Sequence, residues 1–333
     1  MTSRRIRGAL AVAGAALVLA LAGCGGAGHP HLGAAEPAVA PSGGPPPVGT
    51  VRAVGASPEG IVYDAKTGIV AVAVRDPDRL LLLDAATLAV EHTVALPGSV
   101  RHLQLAGPGG PVLVPCESAR ELVQVSLPDG AVVSSTAVGK QPHDATAAAG
   151  GLVVVGNEFG SSLSVVRNGL VTKTLSGVRQ PGGVTGEGAS VAVVDVAAFT
   201  LSTFDLATGE RTAIVAAGRG PTHGIPISGG RFAVADTRGN QVLEYRLSPL
   251  EQIGHLALPG APYGVAIDAS SDTAWVTLTA RNEVVGLDLS GGTPRLVARY
   301  PTVRQPNTVA VSPGSRFVWI TGTANGQVQL ISR

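Results

Sequence analysis

From about residue 50 onward, short apolar runs alternate with clusters of glycine, proline and aspartate. The runs are rich in β-branched side chains, as at 69–74, 191–194 and 319–321. Runs of this length, bounded by turn residues, predict β-strands in meander sheets rather than helices. We therefore expect an all-β fold.

A proline-containing anchor precedes the first apolar run of each repeating unit. The anchors recur about every 41 residues, which fits the roughly 40–45-residue period of four-stranded propeller blades. This spacing predicts a seven-bladed β-propeller over residues 48–333. The anchor positions are Pro58, Val100, Pro142, Pro181, Pro221, Pro262 and Pro306, of which the second is degenerate.

The seventh unit has room for three strands between Pro306 and Arg333. We expect residues 50–54 to supply the missing outer strand of the last blade. An N-terminal strand in that place would close the ring and remove two open sheet edges.

The N-terminus has the pattern of a secretory signal. Arginines at 4, 5 and 7 precede an uncharged apolar run over 8–21, and Leu-Ala-Gly-Cys ends at Cys24. The run is shorter than the roughly 20 residues of a spanning helix. We expect a signal peptide over 1–23, lipidation of the Cys24 thiol, and a bilayer-anchored protein on the extracytoplasmic side of the cell membrane. A plain signal peptide with an incidental cysteine is the alternative.

Residues 25–47 are dominated by glycine, alanine, proline and serine. This composition offers too little apolar surface to fold, so residues 24–47 are predicted to be a disordered tether that begins at the lipidated cysteine. The second cysteine, Cys116, then has no disulfide partner, and we expect it to be a buried, inert thiol.

The charge balance argues against nucleic acid as a partner. The chain has 24 basic and 23 acidic residues, a net charge of +1, and therefore no basic field for phosphates. Phosphate-binding loops and a serine-hydrolase elbow are also missing from the sequence. We expect a monomer.

The repeats resemble YVTN-type β-propeller repeats, close to the NHL and gluconolactonase-like propellers. The resemblance rests on Trp275-Val276-Thr277, Trp319-Ile320-Thr321, the Asp-x-x-Thr-Gly turn and the Pro-x-Gly anchor, and it spans about 48–333. Neither tryptophan is followed by aspartate, which excludes tryptophan-aspartate repeats. The resemblance implies an exported propeller, and many such proteins are binding or scaffold proteins.

In a propeller, the innermost strand of each blade starts at the anchor, so anchor side chains ring one mouth of the central channel. The loops between second and third strands, which carry Glu117 and Glu158, open on the same face. Only 14% of residues are charged, so a concentration of polar groups there predicts a ligand site. Its candidate residues are Glu59, His102, His143, Asp144, Asn157, His223, Asp236, Tyr263 and Asn307.

Three of these candidates, His102, His143 and His223, suit a transition metal because neutral imidazoles beside a carboxylate are typical zinc ligands. They belong to the second, third and fifth units, so a shared ion would have to lie close to the channel axis. Glu59, on the first blade, would form a tighter trio with His102 and His143. The alternative is that the histidines bond loop carbonyls at the rim.

The gluconolactonase-like resemblance bears on the same site. Ser57-Pro58-Glu59-Gly60 is similar to the opening of those propellers, and the resemblance implies Glu59 as a metal ligand, with Asn157 and Asp236 as companions. His92 and His255 fall on predicted outer strands and are expected at the surface.

Two functions follow. The first is a membrane-tethered binding or scaffold propeller that holds a protein, peptide or envelope ligand on the polar mouth. The second is a metal-dependent, lactonase- or lyase-like hydrolytic enzyme that uses a divalent ion, zinc or calcium, in the same mouth. We favour a binding protein over an enzyme, because the sequence does not assemble an acid, a base and a ligand set.

Overall fold

The computed structural model describes Met1, residues 33–291 and residues 293–333. In this part of the chain, 28 strands form seven antiparallel sheets of four strands, and helix is limited to three single 3₁₀ turns at Ala149–Gly151, Glu158–Gly160 and Pro313–Ser315. The prediction of an all-β, seven-bladed propeller is confirmed.

Each blade follows the chain from its innermost to its outermost strand, except the seventh, which takes its outer strand from β1. The strands are β1 Thr50–Ala53; β2 Glu59–Asp64, β3 Ile69–Val74, β4 Arg79–Asp84 and β5 Val90–Ala95 in blade 1; β6 Gln104–Leu105, β7 Val112–Cys116, β8 Glu121–Val125 and β9 Val132–Ala137 in blade 2; β10 Pro142–Ala148, β11 Leu152–Asn157, β12 Ser162–Arg167 and β13 Leu170–Leu175 in blade 3; β14 Pro181–Glu187, β15 Ser190–Asp195, β16 Thr200–Asp205 and β17 Arg211–Ala216 in blade 4; β18 Pro221–Ile227, β19 Arg231–Asp236, β20 Gln241–Leu247 and β21 Leu250–Ala257 in blade 5; β22 Pro262–Asp268, β23 Thr273–Leu278, β24 Glu283–Asp288 and β25 Arg295–Pro301 in blade 6; and β26 Pro306–Val311, β27 Phe317–Gly322 and β28 Gln327–Ser332 in blade 7.

The hydrophobic core lies between neighbouring blades rather than within any one of them. Second strands such as β3 are buried along their whole length, because both faces pack against adjacent sheets. Trp319 of blade 7 shares a hydrophobic cluster with Val70 and Val72 of blade 1, and its Nε1 donates to the Ala85 carbonyl at 2.9 Å. Each blade therefore depends on its neighbour to bury its apolar surface.

Aspartates and asparagines hold the main chain around the mouth. Asp236 accepts hydrogen bonds from the main-chain N–H groups of Arg219 and Gly220, at the blade 5 anchor. Such bonds satisfy N–H groups that the sheets leave unpaired and fix the anchor backbone. The same role is played by Asp195 at Gln180, Asn240 at Ala261 and Asn282 at Gln305.

β1 pairs with β28 in antiparallel register, from Thr50 opposite Leu330 to Ala53 opposite Gln327. Gln329, which lies opposite Val51 in this pairing, is fully buried. Its Nε2 donates to the carbonyls of Val48 at 2.7 Å and Pro301 at 3.2 Å, and its Oε1 accepts from the N–H of Val303 at 3.0 Å. One side chain thus joins the N-terminal strand to blades 6 and 7.

The structure describes only part of the region predicted to be signal peptide and tether. The signal peptide and Cys24 lie outside the described residues. Residues 33–41, predicted to be part of a disordered tether, instead lie against the propeller, with Ala35 and Ala40 buried, whereas residues 42–47 are exposed. Composition measures apolar surface, but this segment docks mainly through main-chain hydrogen bonds, which composition does not register.

No helix among the described residues is long and apolar enough to cross a membrane.

The predicted burial of Cys116 and the predicted surface positions of His92 and His255 are confirmed. Cys116 is fully buried in β7, and burial raises the pKa of its thiol to about 12, which keeps it protonated and unreactive. His92 and His255 lie exposed on the outer strands β5 and β21.

We predict that Gln329→Leu lowers the free energy of unfolding by about 2–4 kcal/mol, because buried polar groups left without partners cost about 1–3 kcal/mol each. Denaturant titration of the purified protein measures the change. Gln327→Leu, two residues away on the same strand and half-buried, is the control. Equal midpoints for the two variants would show that Gln329 does not hold the N-terminal strand.

Candidate functional site

The inner strands of the seven blades line a central cavity of about 400 Å³. Apolar residues such as Leu103, Ile225 and Val309 make up much of its wall, while Gln104, Asp144 and Thr146 add polar groups on one side. His102 and His223 line the same cavity. The channel is therefore a chamber whose wall is part apolar and part polar, with imidazoles in it.

A β-bulge just after the anchor turns side chains towards the axis. The pairing of first and second strands shifts register there in six blades, including across His143 in β10 and across Thr222 and His223 in β18. Bulges re-aim side chains and recur beside functional sites. Here they bring residues of opposite blades together.

The three histidines predicted as metal ligands form one cluster. The Nε2 atoms of His102 and His223 are 3.0 Å apart, and the ring centroids of His102 and His143 are 4.7 Å apart. One ring nitrogen from each residue lies within 4.8 Å of the others. For comparison, two nitrogens bound to one tetrahedral zinc ion are about 3.4 Å apart.

His143 is held by two buried carboxylates. Its Nδ1 lies 2.9 Å from Glu117 Oε1 and 3.2 Å from Glu158 Oε2, and Arg101 Nε lies 3.5 Å from Glu117 Oε1. Burial alone would lower the pKa of His143, but the hydrogen bond to Glu117 and the charges of both glutamates raise it. With Nδ1 engaged as a donor, Nε2 is the nitrogen left for a ligand.

His223 is oriented in a similar way. Its Nδ1 donates to the Tyr263 carbonyl at 3.0 Å, which leaves Nε2 facing His102. Burial, reinforced by the charge of His143, lowers the pKa of His223 to about 3. Burial and the neighbouring His223, His143 and Arg101 hold the pKa of His102 well below its usual value. Both rings are therefore neutral at pH 7, the form that binds metals.

Glu59 does not join this cluster, which corrects the expected trio with His102 and His143. Its Oε2 accepts from Arg75 Nη2 at 2.8 Å, and its Oε1 accepts from Asn307 Nδ2 at 3.0 Å. Glu59 therefore bridges blades 1 and 7 at the rim, and His223 takes the third place on the axis.

Two other candidates, Asn157 and Asp236, are fully buried within the protein. Asp236 bonds the blade 5 anchor, and Asn157 Nδ2 donates to the hydroxyls of Ser162 and Ser164. The resemblance implied that they would accompany Glu59 as metal ligands, but the structure pairs each of them with its own local partners and not with Glu59.

Asp144 and Tyr263 border the cluster. Asp144 accepts from Gln104 Nε2 and from the N–H groups of Ala145 and Val184, and burial raises its pKa to about 6. The buried ring of Tyr263 meets His223 edge-on, with centroids 4.7 Å apart. Both residues fix the surroundings of the histidines.

Two glutamines at the mouth were missed by the sequence analysis. Gln104 joins Asp144 to the Val184 carbonyl, and Gln305 bonds both Asn307 and the N-terminal segment. A glutamine precedes the anchor proline in three blades, at Gln141, Gln180 and Gln305, and this recurrence was the available signal for Gln305.

Comparison with known proteins supports the fold and leaves the family open. No protein-family model matches the chain, and no curated protein matches it. Among solved structures, Kuenenia stuttgartiensis hydrazine synthase is similar with a TM-score of 0.72 and 16% identity over 83% of this chain and 96% of that one. A streptogramin B lyase has a TM-score of 0.70 and 12% identity over 84% and 94% of the two chains.

The β-propeller domain of Cps50 (Swd1) from Myceliophteria thermophila is similar too, with a TM-score of 0.72 and 14% identity over 86% of this chain and all of that one. At these identities the likeness shows the fold alone. The chain is thus a seven-bladed β-propeller, an architecture that its neighbours put to different uses.

We predict that Glu158→Gln lowers the pKa of His143, because it removes one of the two charges that raise it. Nuclear magnetic resonance titration of the histidine ring protons in metal-free protein measures the shift. A raised histidine pKa stabilises the fold below the unfolded value of about 6.5, and this contribution disappears as pH rises through the folded value.

The stability difference between wild type and Glu158→Gln should therefore be larger at pH 5 than at pH 9. Glu210→Gln, which changes an exposed glutamate, is the control and should shift neither quantity. An unchanged His143 pKa in Glu158→Gln would contradict the role of Glu158.

Proposed function

We propose that this chain is a membrane-tethered, extracytoplasmic binding propeller whose ligand site is the polar mouth of the central channel. The core of the site is a zinc-type ion bound by His102, His143 and His223. The observation that carries the proposal is the convergence of these three imidazoles, from three different blades, within 4.8 Å of one another.

The hydrogen bonds around the cluster support a metal site. Histidines that bind metals usually donate their second ring nitrogen to a carboxylate or a carbonyl, which fixes the ring and its tautomer. His143 does so with Glu117, and His223 does so with the Tyr263 carbonyl. Nitrogen donors favour zinc over calcium, which takes oxygen ligands.

The charges around the cluster also favour a cation. Glu117 and Glu158 are both buried beside His143. Apart from His143, Arg101 is the one basic side chain among the described residues that pairs with Glu117. Buried carboxylates are costly without compensating positive charge. A divalent ion at the imidazoles would supply that charge.

A hydrolytic role is the second candidate. Three protein nitrogens leave the fourth zinc position open, as in catalytic zinc sites, and here that position would adjoin the 400 Å³ cavity. Against catalysis, Glu117 and Glu158 are engaged with His143, and both oxygens of Asp144 are hydrogen-bonded. The carboxylate of Glu36, which also borders the cluster, faces Arg101 at 3.8 Å, and binding is the better-supported role.

The metal proposal predicts one equivalent of tightly bound zinc. Metal-free protein is titrated with zinc by calorimetry, and cobalt in parallel gives the absorption of a tetrahedral site. His102→Ala and His223→Ala should each weaken zinc binding by about 100-fold or more, beyond the 10–100-fold cost typical of losing an outer partner. His255→Ala, an exposed histidine, should bind zinc like wild type.

Zinc well below one equivalent in wild type, or equal affinity in His223→Ala and His255→Ala, would contradict the metal site. Calcium binding in place of zinc would contradict it as well.

Membrane attachment is proposed from the sequence around Cys24. Cys24→Ala should abolish incorporation of labelled fatty acid and should move the protein from the membrane to the soluble fraction, because the thiol is the attachment point. Cys116→Ala, which removes the buried thiol, should remain lipid-labelled. Fatty-acid labelling retained in Cys24→Ala would contradict the anchor.

A further inference from the structure

Residues 33–41, called here the mouth strap, have no helix or strand of their own and lie against the loops of blades 5, 6 and 7. The side-chain amide of Gln305 makes two hydrogen bonds to the strap. Its Oε1 accepts from the N–H of Ala40 at 2.9 Å, and its Nε2 donates to the carbonyl of Ala38 at 2.9 Å. Thr279 Oγ1 accepts from the N–H of Ala38 at 3.0 Å. Blades 6 and 7 therefore bind the main chain of the strap.

Both ends of the strap are held in the same way. Arg238 Nη2 donates to the carbonyls of Gly33 at 2.9 Å and Ala34 at 3.1 Å, and Asn282 Nδ2 donates to the carbonyl of Pro41 at 2.9 Å. These contacts recognise peptide groups, and they do not depend on which side chains the strap carries. Main-chain hydrogen bonds of this kind supply affinity in the recognition of extended peptides, while pockets supply selectivity.

Small side chains are required at two strap positions. Ala35 and Ala40 are buried, and the methyl group of Ala35 lies where Gly220 leaves space: a Cβ at Gly220 would be 2.9 Å from it. Val39, by contrast, is 87% exposed. Glu36 points towards Arg101, at 3.8 Å.

The receptor side chains are already fixed by the propeller. Gln305 Nε2 also donates to Asn307 Oδ1, Asn307 Nδ2 donates to Glu59, and Glu59 pairs with Arg75. Asn282 is held by the N–H of Gln305. A preorganised surface loses little entropy when it binds a chain.

The strap also covers the histidine cluster. A space of about 20 Å³ lies between strap residues 34–36 and His143, His223 and Tyr263, which is room for about one water molecule. A larger ligand can reach the cluster from this side only after the strap has moved. Residues 42–47, which follow the strap, are exposed. They form a linker long enough for the strap to move away from the mouth while it stays attached.

We propose that the mouth is a groove for an extended peptide and that the strap is an intramolecular ligand which occupies it. The partner is an alanine- and proline-rich peptide with a small residue at the position of Ala35 and a carboxylate at that of Glu36. This inference deepens the proposed binding function by naming its partner class, and it is independent of the metal. Because the strap is covalently attached, its effective concentration is high, and a free peptide must compete with it.

The test uses a protease cleavage site placed within the exposed residues 42–47. The intact protein is folded and purified, and half of it is cleaved. A fluorescent peptide with the sequence of residues 33–41 is then titrated with each sample and followed by anisotropy. We expect saturable binding to the cleaved protein, at least about tenfold tighter than to the intact protein, since cleavage removes the advantage of the attached strap.

Peptide variants leave the protein unchanged and so separate recognition from folding. The Ala35→Trp peptide should lose binding, because its side chain cannot enter the space at Gly220, whereas the Val39→Trp peptide should bind like the original. The Glu36→Gln peptide should bind more weakly by at most about fivefold, as expected for an exposed ion pair. Gln305→Ala in the cleaved protein should weaken binding of the original peptide, while His255→Ala should not.

No binding to the cleaved protein, or equal binding of the Ala35→Trp and Val39→Trp peptides, would overturn the peptide groove. Zinc titration of the same cleaved sample distinguishes the two proposals. Zinc uptake without peptide binding rejects the groove and leaves the metal site. Peptide binding by a sample that takes up no zinc in a chelator-free zinc titration rejects the metal site and leaves the groove.

Discussion

The pairing of β1 with β28 is the interaction on which the rest of the molecule depends. It places strands from the two ends of the described chain in one sheet, and the buried Gln329 ties that sheet to the Pro301 carbonyl of blade 6. A closed ring directs all seven inner strands towards one axis, and β1 covers the edge of β28 that would otherwise lie open. Only in such a ring do His102 and His223, 121 residues apart, come within 3.0 Å of each other.

Closure also decides what the polar residues of the mouth do. The anchor turns expose main-chain N–H groups that must find partners, and aspartates and asparagines such as Asp236 and Asn282 provide them. Much of the polarity at the mouth therefore serves the backbone. The histidine cluster differs, because Glu117 and the Tyr263 carbonyl bond the Nδ1 atoms of His143 and His223, while the Nε2 atoms of His102 and His223 face each other. The receptor side chains for the strap differ as well, since they bond a separate segment.

The architecture was predictable because blades repeat, and the regular spacing of anchors such as Pro142 and Pro262 reports the repeat directly. The sequence also placed the candidate residues on the correct blades. It did not predict which side chains reach the axis, because that depends on the local register of the strands. Bulges turn His143 and His223 inward, whereas Glu59 pairs at the rim. The docked strap escaped prediction for another reason: its bonds are made by peptide groups, which every residue possesses.

We propose that the closed ring builds one metal site on its axis from three distant histidines. Anomalous X-ray diffraction at the zinc edge, from crystals of the zinc-loaded protein, locates the ion. We expect a single strong peak among His102, His143 and His223, about 2.0–2.1 Å from one ring nitrogen of each. A strong peak elsewhere, or one bound by fewer than three of these histidines, would show that the ring does not build this site.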